Sequence, residues 1–205
     1  MPAADHETAD PSTSTRAKKP SSKQRMLLAA VELMSEQSAA AITIDEVVAR
    51  SGAPRGSVYY HFPEGRSQLI TEALDLAGVM MNTAIAQGFT GDPAAGIAHI
   101  VDYWIRILTH KDFAASCPIT SAAIGGSTVD PELVPQAHAI FHTWQELICA
   151  ELERAGIAKS RTPALATMVV SSIQGAVVLS RAQRDTAPLK QVRKELEQLL
   201  QQAQT

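Results

Sequence analysis

The chain has 205 residues, of which 45% are hydrophobic, 19% charged and 4% aromatic, and its net charge is -3. That is an ordinary soluble globular composition, long enough for one or two domains with a real core, and the whole chain is no polyanion binder by charge. The charge is uneven, however: residues 16–66 hold eight basic against five acidic side chains, and residues 67–205 hold ten against thirteen. A basic segment inside an acidic protein points to one part of the molecule meeting an anion.

Residues 1–21 are rich in Pro, Ser, Thr, Ala and Asp without an apolar period, and read as a disordered tail. Arg16, Lys18 and Lys19 there form either a basic arm or, as is commoner, a solvated tail. A helix is expected over 22–36, with Leu27, Ala30, Val31 and Met34 as its apolar stripe. "SEQSAAAIT" interrupts it. Thr43, three before Glu46, opens a second helix as a capping box, and Ile44, Val47 and Val48 supply its core face. Gly52 suits a left-handed stop, and Pro54 sits where a third helix would begin. That helix ends near Phe62, because Pro63 disfavours helical geometry before it. Three short helices with a glycine turn between the last two have the spacing of a helix-turn-helix, placed at about 43–62.

The rest stays helical: about 67–87, 93–109, a short helix and glycine loop within 112–131, then 131–155, 163–184 and 189–202. No segment alternates as a strand does, so the fold class is all-α. The uncharged stretch 163–180 is at the short limit for a membrane span and carries Ser, Thr, Gln, Gly and Pro, so it reads as a helix buried in protein. The polar N-terminus lacks a signal-peptide core, and Cys117 and Cys149 form no CxxC pair, which fits a reducing cytoplasm.

A helix fits the major groove, with its N-terminal residues at base edges. Arg55, placed in the first turn of the third helix, can reach a guanine or a phosphate. Gly56 allows close backbone approach, and Ser57 can bond a base or a phosphate. Tyr59 and Tyr60 point to different faces, so one can pack while the other offers its hydroxyl to a phosphate. Thr43, His61 and Arg66 are further phosphate candidates. Val58 and Phe62 belong to the core.

Taken together, "TIDEVVARSGAPRGSVYYHFPEGRSQL" resembles the DNA-binding module of TetR-type bacterial transcriptional regulators. Ala49, Gly52, Gly56, Tyr59, His61, Phe62, Arg66 and Leu69 carry the likeness. Arg66 stands where lysine is usual, and Pro54 where a small polar residue is frequent. "HFPEGRSQL" with "DFAASCPITS" is similar to the subgroup of lincomycin-sensing and flavonoid-sensing repressors, with Ser116 in place of the usual glycine before Cys117-Pro118. The resemblance implies a homodimeric, all-α regulator without a cofactor, most often a repressor of a double-stranded operator, whose larger C-terminal domain binds a small inducer. It implies a domain division of 22–66 (DNA binding) and 67–205 (ligand binding and dimerisation). It also implies that the last two long helices form the dimer contact, here through Met168, Ser171, Ser172, Gly175, Val178, Leu196 and Leu199.

For the inducer, apolar and aromatic residues on separate helices suggest a pocket. The candidates are Trp104, Phe113, Cys117, His138, Phe141, Trp144 and Gln174, with Met80, Met81, Tyr103 and Arg106 as further lining. The rival readings are a helical enzyme and a metal- or redox-sensing regulator. His138 and His142 share a helix face, but no third ligand is placed beside them. Cys117 has no basic neighbour in sequence to activate it, and no P-loop, GxGxxG or GxSxG motif is present. The expectation is therefore a DNA-binding regulator rather than an enzyme, with no bound metal and no membrane.

Overall fold

The computed structural model describes residues 20–125 and 130–204. The expected tail therefore lies outside the described residues as far as residue 19, as does the glycine loop at 126–129. Among the described residues the chain forms nine α-helices and no strand. They are α1 (Ser22–Glu36), α2 (Ile44–Ser51), α3 (Ser57–His61), α4 (Arg66–Gly88), α5 (Pro93–His110), α6 (Pro118–Gly125), α7 (Leu133–Arg154), α8 (Thr162–Gln183) and α9 (Ala187–Ala203).

Local chemistry sets the ends of the early helices. Ser21 caps α1, and Gln24 answers it in a capping box. Thr43 and Glu46 do the same for α2: the Glu46 N–H donates to Thr43 Oγ1 at 3.2 Å, and the Thr43 N–H to Glu46 Oε2 at 2.8 Å. Gly52 ends α2 in the left-handed region, φ 61°, as the turn demands. Pro54 does not open α3, which is only five residues long and starts at Ser57. The backbone first makes a turn, with the Ser57 N–H donating to the Pro54 carbonyl at 2.9 Å.

The buried face of α1 is rotated by one position from the expected stripe. Met26, Ala29, Ala30, Leu33 and Met34 are buried, while Leu27 and Val31 are only partly so. Val58 on α3 and Phe62, which ends it, are both fully buried against this core. Burying a phenylalanine of that size is worth about 2–3 kcal/mol, enough to fix so short a helix.

α4 packs against α1 on one side and against α5 and α7 on the other. α8 lies against α7 and α9, and α9 also against α5. Gly96 lets α5 approach the end of α4, since a Cβ there would sit 2.5 Å from the Phe89 ring. α4 and α8 are long and apolar enough to cross a membrane, but each lies among other helices, with about half and two-fifths of its most apolar stretch buried. α8 leaves one apolar face outside: Met168, Val178 and Leu179 are all exposed.

Candidate nucleic-acid interface and ligand cavity

α3 presents its outer side to solvent while α1 holds it from behind. His61 is drawn inward: its Nε2 is 2.8 Å from Ser22 Oγ, at the start of α1. Lys23 Nζ stands 5.4 Å from the centre of the Phe62 ring, a cation–π contact that adds to the hold. Tyr59 is 63% and Tyr60 82% exposed, so neither is the core residue that one of the pair could have been. Tyr59 leans towards Gly65, and Tyr60 meets the His61 ring edge-on, with the centroids 5.0 Å apart, while staying exposed at the face. Thr43 and Gly56 are exposed beside them. A Cβ at Gly56 would meet nothing within 4 Å, so the space over it is open. Ser57 is half-buried and its hydroxyl donates to the Pro54 carbonyl at 2.6 Å.

Arg55 lies ahead of α3 rather than in its first turn, 72% exposed, with Nη1 2.6 Å from Asp45. So exposed a pair contributes at most about 1 kcal/mol and gives way readily to a stronger anion.

The expectation for Arg66 is corrected. It is the first residue of α4, and its guanidinium is spent inside the protein: Nη1 is 2.7 Å from Asp130 Oδ1 and Nη2 3.1 Å from Oδ2. Nε donates to the Ile42 carbonyl at 2.7 Å, and Nη2 also to that of Ala39. Asp130 is buried, so the fork is a clamp on the helix-turn-helix from the rear, with four of the five guanidinium N–H donors engaged inside the protein. The basic character of residues 16–66 is likewise largely internal where described. Lys23 pairs with Glu72 at 2.8 Å, Arg50 with Glu36 at 2.9 Å, and Arg25 Nε donates to the Ser51 carbonyl at 3.2 Å.

A cavity of about 160 Å³ opens between α1, α4, α5 and the start of α6. Trp104, Cys117 and Trp144 line it, with Met80, Met81 and Tyr103. A satellite of about 20 Å³ behind the two tryptophans reaches Gln174, which accepts from Thr120 Oγ1 at 2.9 Å. Phe113 and Phe141 pack against the core without lining either space, and His138 is exposed. Arg106 points to solvent.

Sequence reasoning missed Val31, Glu32 and Ser35 of α1, together with Lys111 and Ser116. No signal in α1 alone could have found them: Val31 fits the apolar stripe, and it is half-buried because it borders a void. Both the N–H and the hydroxyl of Ser116 donate to the Ser35 carbonyl, at 2.7 and 2.8 Å. Asp112 and Phe113 just before it have φ of 48° and 59°, a left-handed kink in two non-glycine residues. Burial pushes the Cys117 and Cys149 thiols up, away from the reactive thiolate. His142 sits 3.3 Å from Glu146 rather than in a ligand set, and no group of three metal-ligating side chains occurs among the described residues.

A helix-turn-helix clamped to a larger helical bundle is the architecture of a DNA-binding transcriptional regulator. Comparison with known proteins agrees. Residues 26–73 match the bacterial regulatory proteins of the tetR family, and residues 93–195 match the LmrA/YxaF-like transcriptional regulator C-terminal domain. The chain belongs to the TetR family of transcriptional regulators, a family of non-enzymes, and its C-terminal domain is of the LmrA/YxaF-like kind.

The uncharacterized HTH-type transcriptional regulator Rv0196 of Mycobacterium tuberculosis (strain ATCC 25618 / H37Rv) is 35% identical over 183 residues, 87% of this chain and 93% of its own. The HTH-type transcriptional regulator LmrA of Bacillus subtilis (strain 168) is 28% identical over 170 residues, 82% of this chain and 90% of its own. The fold is shared with a regulatory protein TetR from Rhodobacter sphaeroides, with a TM-score of 0.78 at 17% identity, covering 86% of this chain and 97% of that one. It is shared as well with a TetR transcriptional regulator from Legionella pneumophila, with a TM-score of 0.76 at 19% identity, covering 88% and 97%.

Proposed function

We propose that this regulator is a cytoplasmic homodimeric repressor, held on a palindromic operator through Thr43, Arg55, Gly56, Ser57, Tyr59 and Tyr60, and released by a small apolar inducer in the cavity. One observation carries the reading: α1 is the wall common to both sites. Its start is tied to α3 by the Ser22–His61 hydrogen bond, and its end lines the cavity through Val31, Glu32 and Ser35. A molecule that presses on α1 is therefore felt at α3, and binding energy that differs between two positions of α1 becomes a change in DNA affinity. His61 serves this coupling rather than a phosphate.

Residues 22–66 are the DNA-binding domain in this reading and 67–205 the ligand-binding and dimerisation domain. The exposed α8 face supports a dimer: Met168, Ser171, Gly175 and Val178 recur at helical spacing on the outside. Ser172 and Leu199 are half-buried at its border, and Leu196 leaves the set because it is buried within the chain's own core.

Footprinting on the DNA upstream of the protein's own gene, with and without a panel of apolar compounds, tests the reading. A protected inverted repeat lost with one compound supports it. No protection at low salt sinks it.

A further inference from the structure

The cavity is nearly all apolar, and its charged groups gather at one corner. Lys111 and Glu32 both line it. Lys111 Nζ makes only long contacts, 3.4 Å to Glu32 and 3.7 Å to Glu36. Arg50 holds the same carboxylates more closely, at 3.3 Å and 2.9 Å. Arg181 is there too, donating to the Glu36 carbonyl at 3.2 Å and, among the described residues, pairing with no carboxylate.

A loosely paired ammonium at the edge of an otherwise apolar space favours a guest that is apolar in body and negatively charged at one end. The size follows from the volume: a void of about 150 Å³ takes a benzene ring.

We propose that the ligand is a small aromatic or alicyclic acid, about one ring in size. Its carboxylate or ionised phenol pairs with Lys111, while its ring lies between Met80, Met81, Tyr103 and the two tryptophans. The proposal rests on reading this cavity as the inducer site, and it adds the class of inducer and the first step of its action. Lys111 turns from Glu32 and Glu36 to the ligand. The two carboxylates keep Arg50, so neither is left unpaired. What is lost is the ionic tie between α1 and the kinked segment after α5.

The test uses the full chain without DNA and three probes of one shape: 4-ethylbenzoate, 4-ethylbenzylammonium and 4-ethyltoluene. Binding is read by tryptophan fluorescence and calorimetry. We expect 4-ethylbenzoate to bind about ten-fold more tightly than 4-ethylbenzylammonium, the scale of one charged hydrogen bond. Lys111→Met, which keeps the apolar stem, should remove that preference and leave 4-ethyltoluene unchanged. Glu32→Gln, which frees Lys111 from a competitor, should strengthen 4-ethylbenzoate binding a few-fold. Equal or tighter binding of the amine, or acid binding indifferent to both substitutions, overturns the proposal. Because DNA is absent, that failure leaves the regulator reading intact, whereas failed footprinting would leave these affinities standing.

Discussion

Arg66 and Asp130 are 64 residues apart in sequence, yet their guanidinium and carboxylate meet at 2.7 Å. The pair joins the first residue of α4 to the segment before α7, and through the Ala39 and Ile42 carbonyls it also holds the chain between α1 and α2. Removing Arg66 strands the buried Asp130 carboxylate and two carbonyl acceptors. Arg66→Ala should cost about 3 kcal/mol of stability, and Arg66→Lys should recover little, because an ammonium cannot reproduce the fork. Urea unfolding measures both. A loss below about 0.5 kcal/mol would return Arg66 to the surface role its position in the sequence suggests.

The Thr43 cap has a separate signature. Thr43→Ala removes one half of the capping box and should cost about 1 kcal/mol, with Thr43→Ser restoring most of it. If Thr43 also meets phosphate, DNA affinity in the alanine variant falls further than its stability change explains, and the salt dependence of binding becomes shallower. Denaturant melts and gel shifts over a salt series separate the two effects.

A charge on the outer face of α8 tests the dimer. Val178→Glu lies on an exposed face, so the protomer should fold unchanged while two copies facing each other across that face should separate. Size exclusion and circular dichroism on the same sample read both. A variant that keeps the elution volume of the parent dimer would move the contact elsewhere.

Acid should loosen the corner that carries the inducer signal. The Glu36 carboxyl is held below its ordinary value of 4.5, chiefly by the hydrogen bond from Arg50, against the opposing effect of burial and with help from Lys111. A depressed folded value means that the contribution is present above 4.5 and is lost as pH falls through the folded value. Thermal melts taken from about pH 6 to about pH 3 should therefore decline less steeply for Glu36→Gln than for the parent. Parallel curves would show that the pairing adds nothing to stability.

Much of the fold was legible in the sequence because its signals are local. The capping box at Thr43, the left-handed Gly52 and the stop at Pro63 each act over a few residues, and the long helices follow from a periodic apolar face. The recognition segment was legible for the same reason. The fates of Arg66 and Lys111 were not, because each depends on a partner distant in the chain: Asp130 for the first, Glu32 and Glu36 for the second. Periodicity also put the α1 stripe one position out. Ala29, Ala30 and Leu33 are the inward residues, and Val31 looks into a cavity whose existence no single helix could reveal. Leu196 misled in a similar way, since an apolar residue on a terminal helix serves either its own core or a partner, and here α5 and α8 cover it.

The account is tested most directly by Arg55→Ala, compared with the parent in gel shifts on the footprinted operator across a salt series, with the oligomeric state measured on the same samples. Arg55 is exposed, and its weak pair with Asp45 gives the fold little. The variant should therefore keep its melting temperature and its dimer while losing operator affinity at least ten-fold, the scale of one base or phosphate contact. Unchanged affinity in a folded, dimeric variant would contradict the reading of this face as the DNA-binding surface.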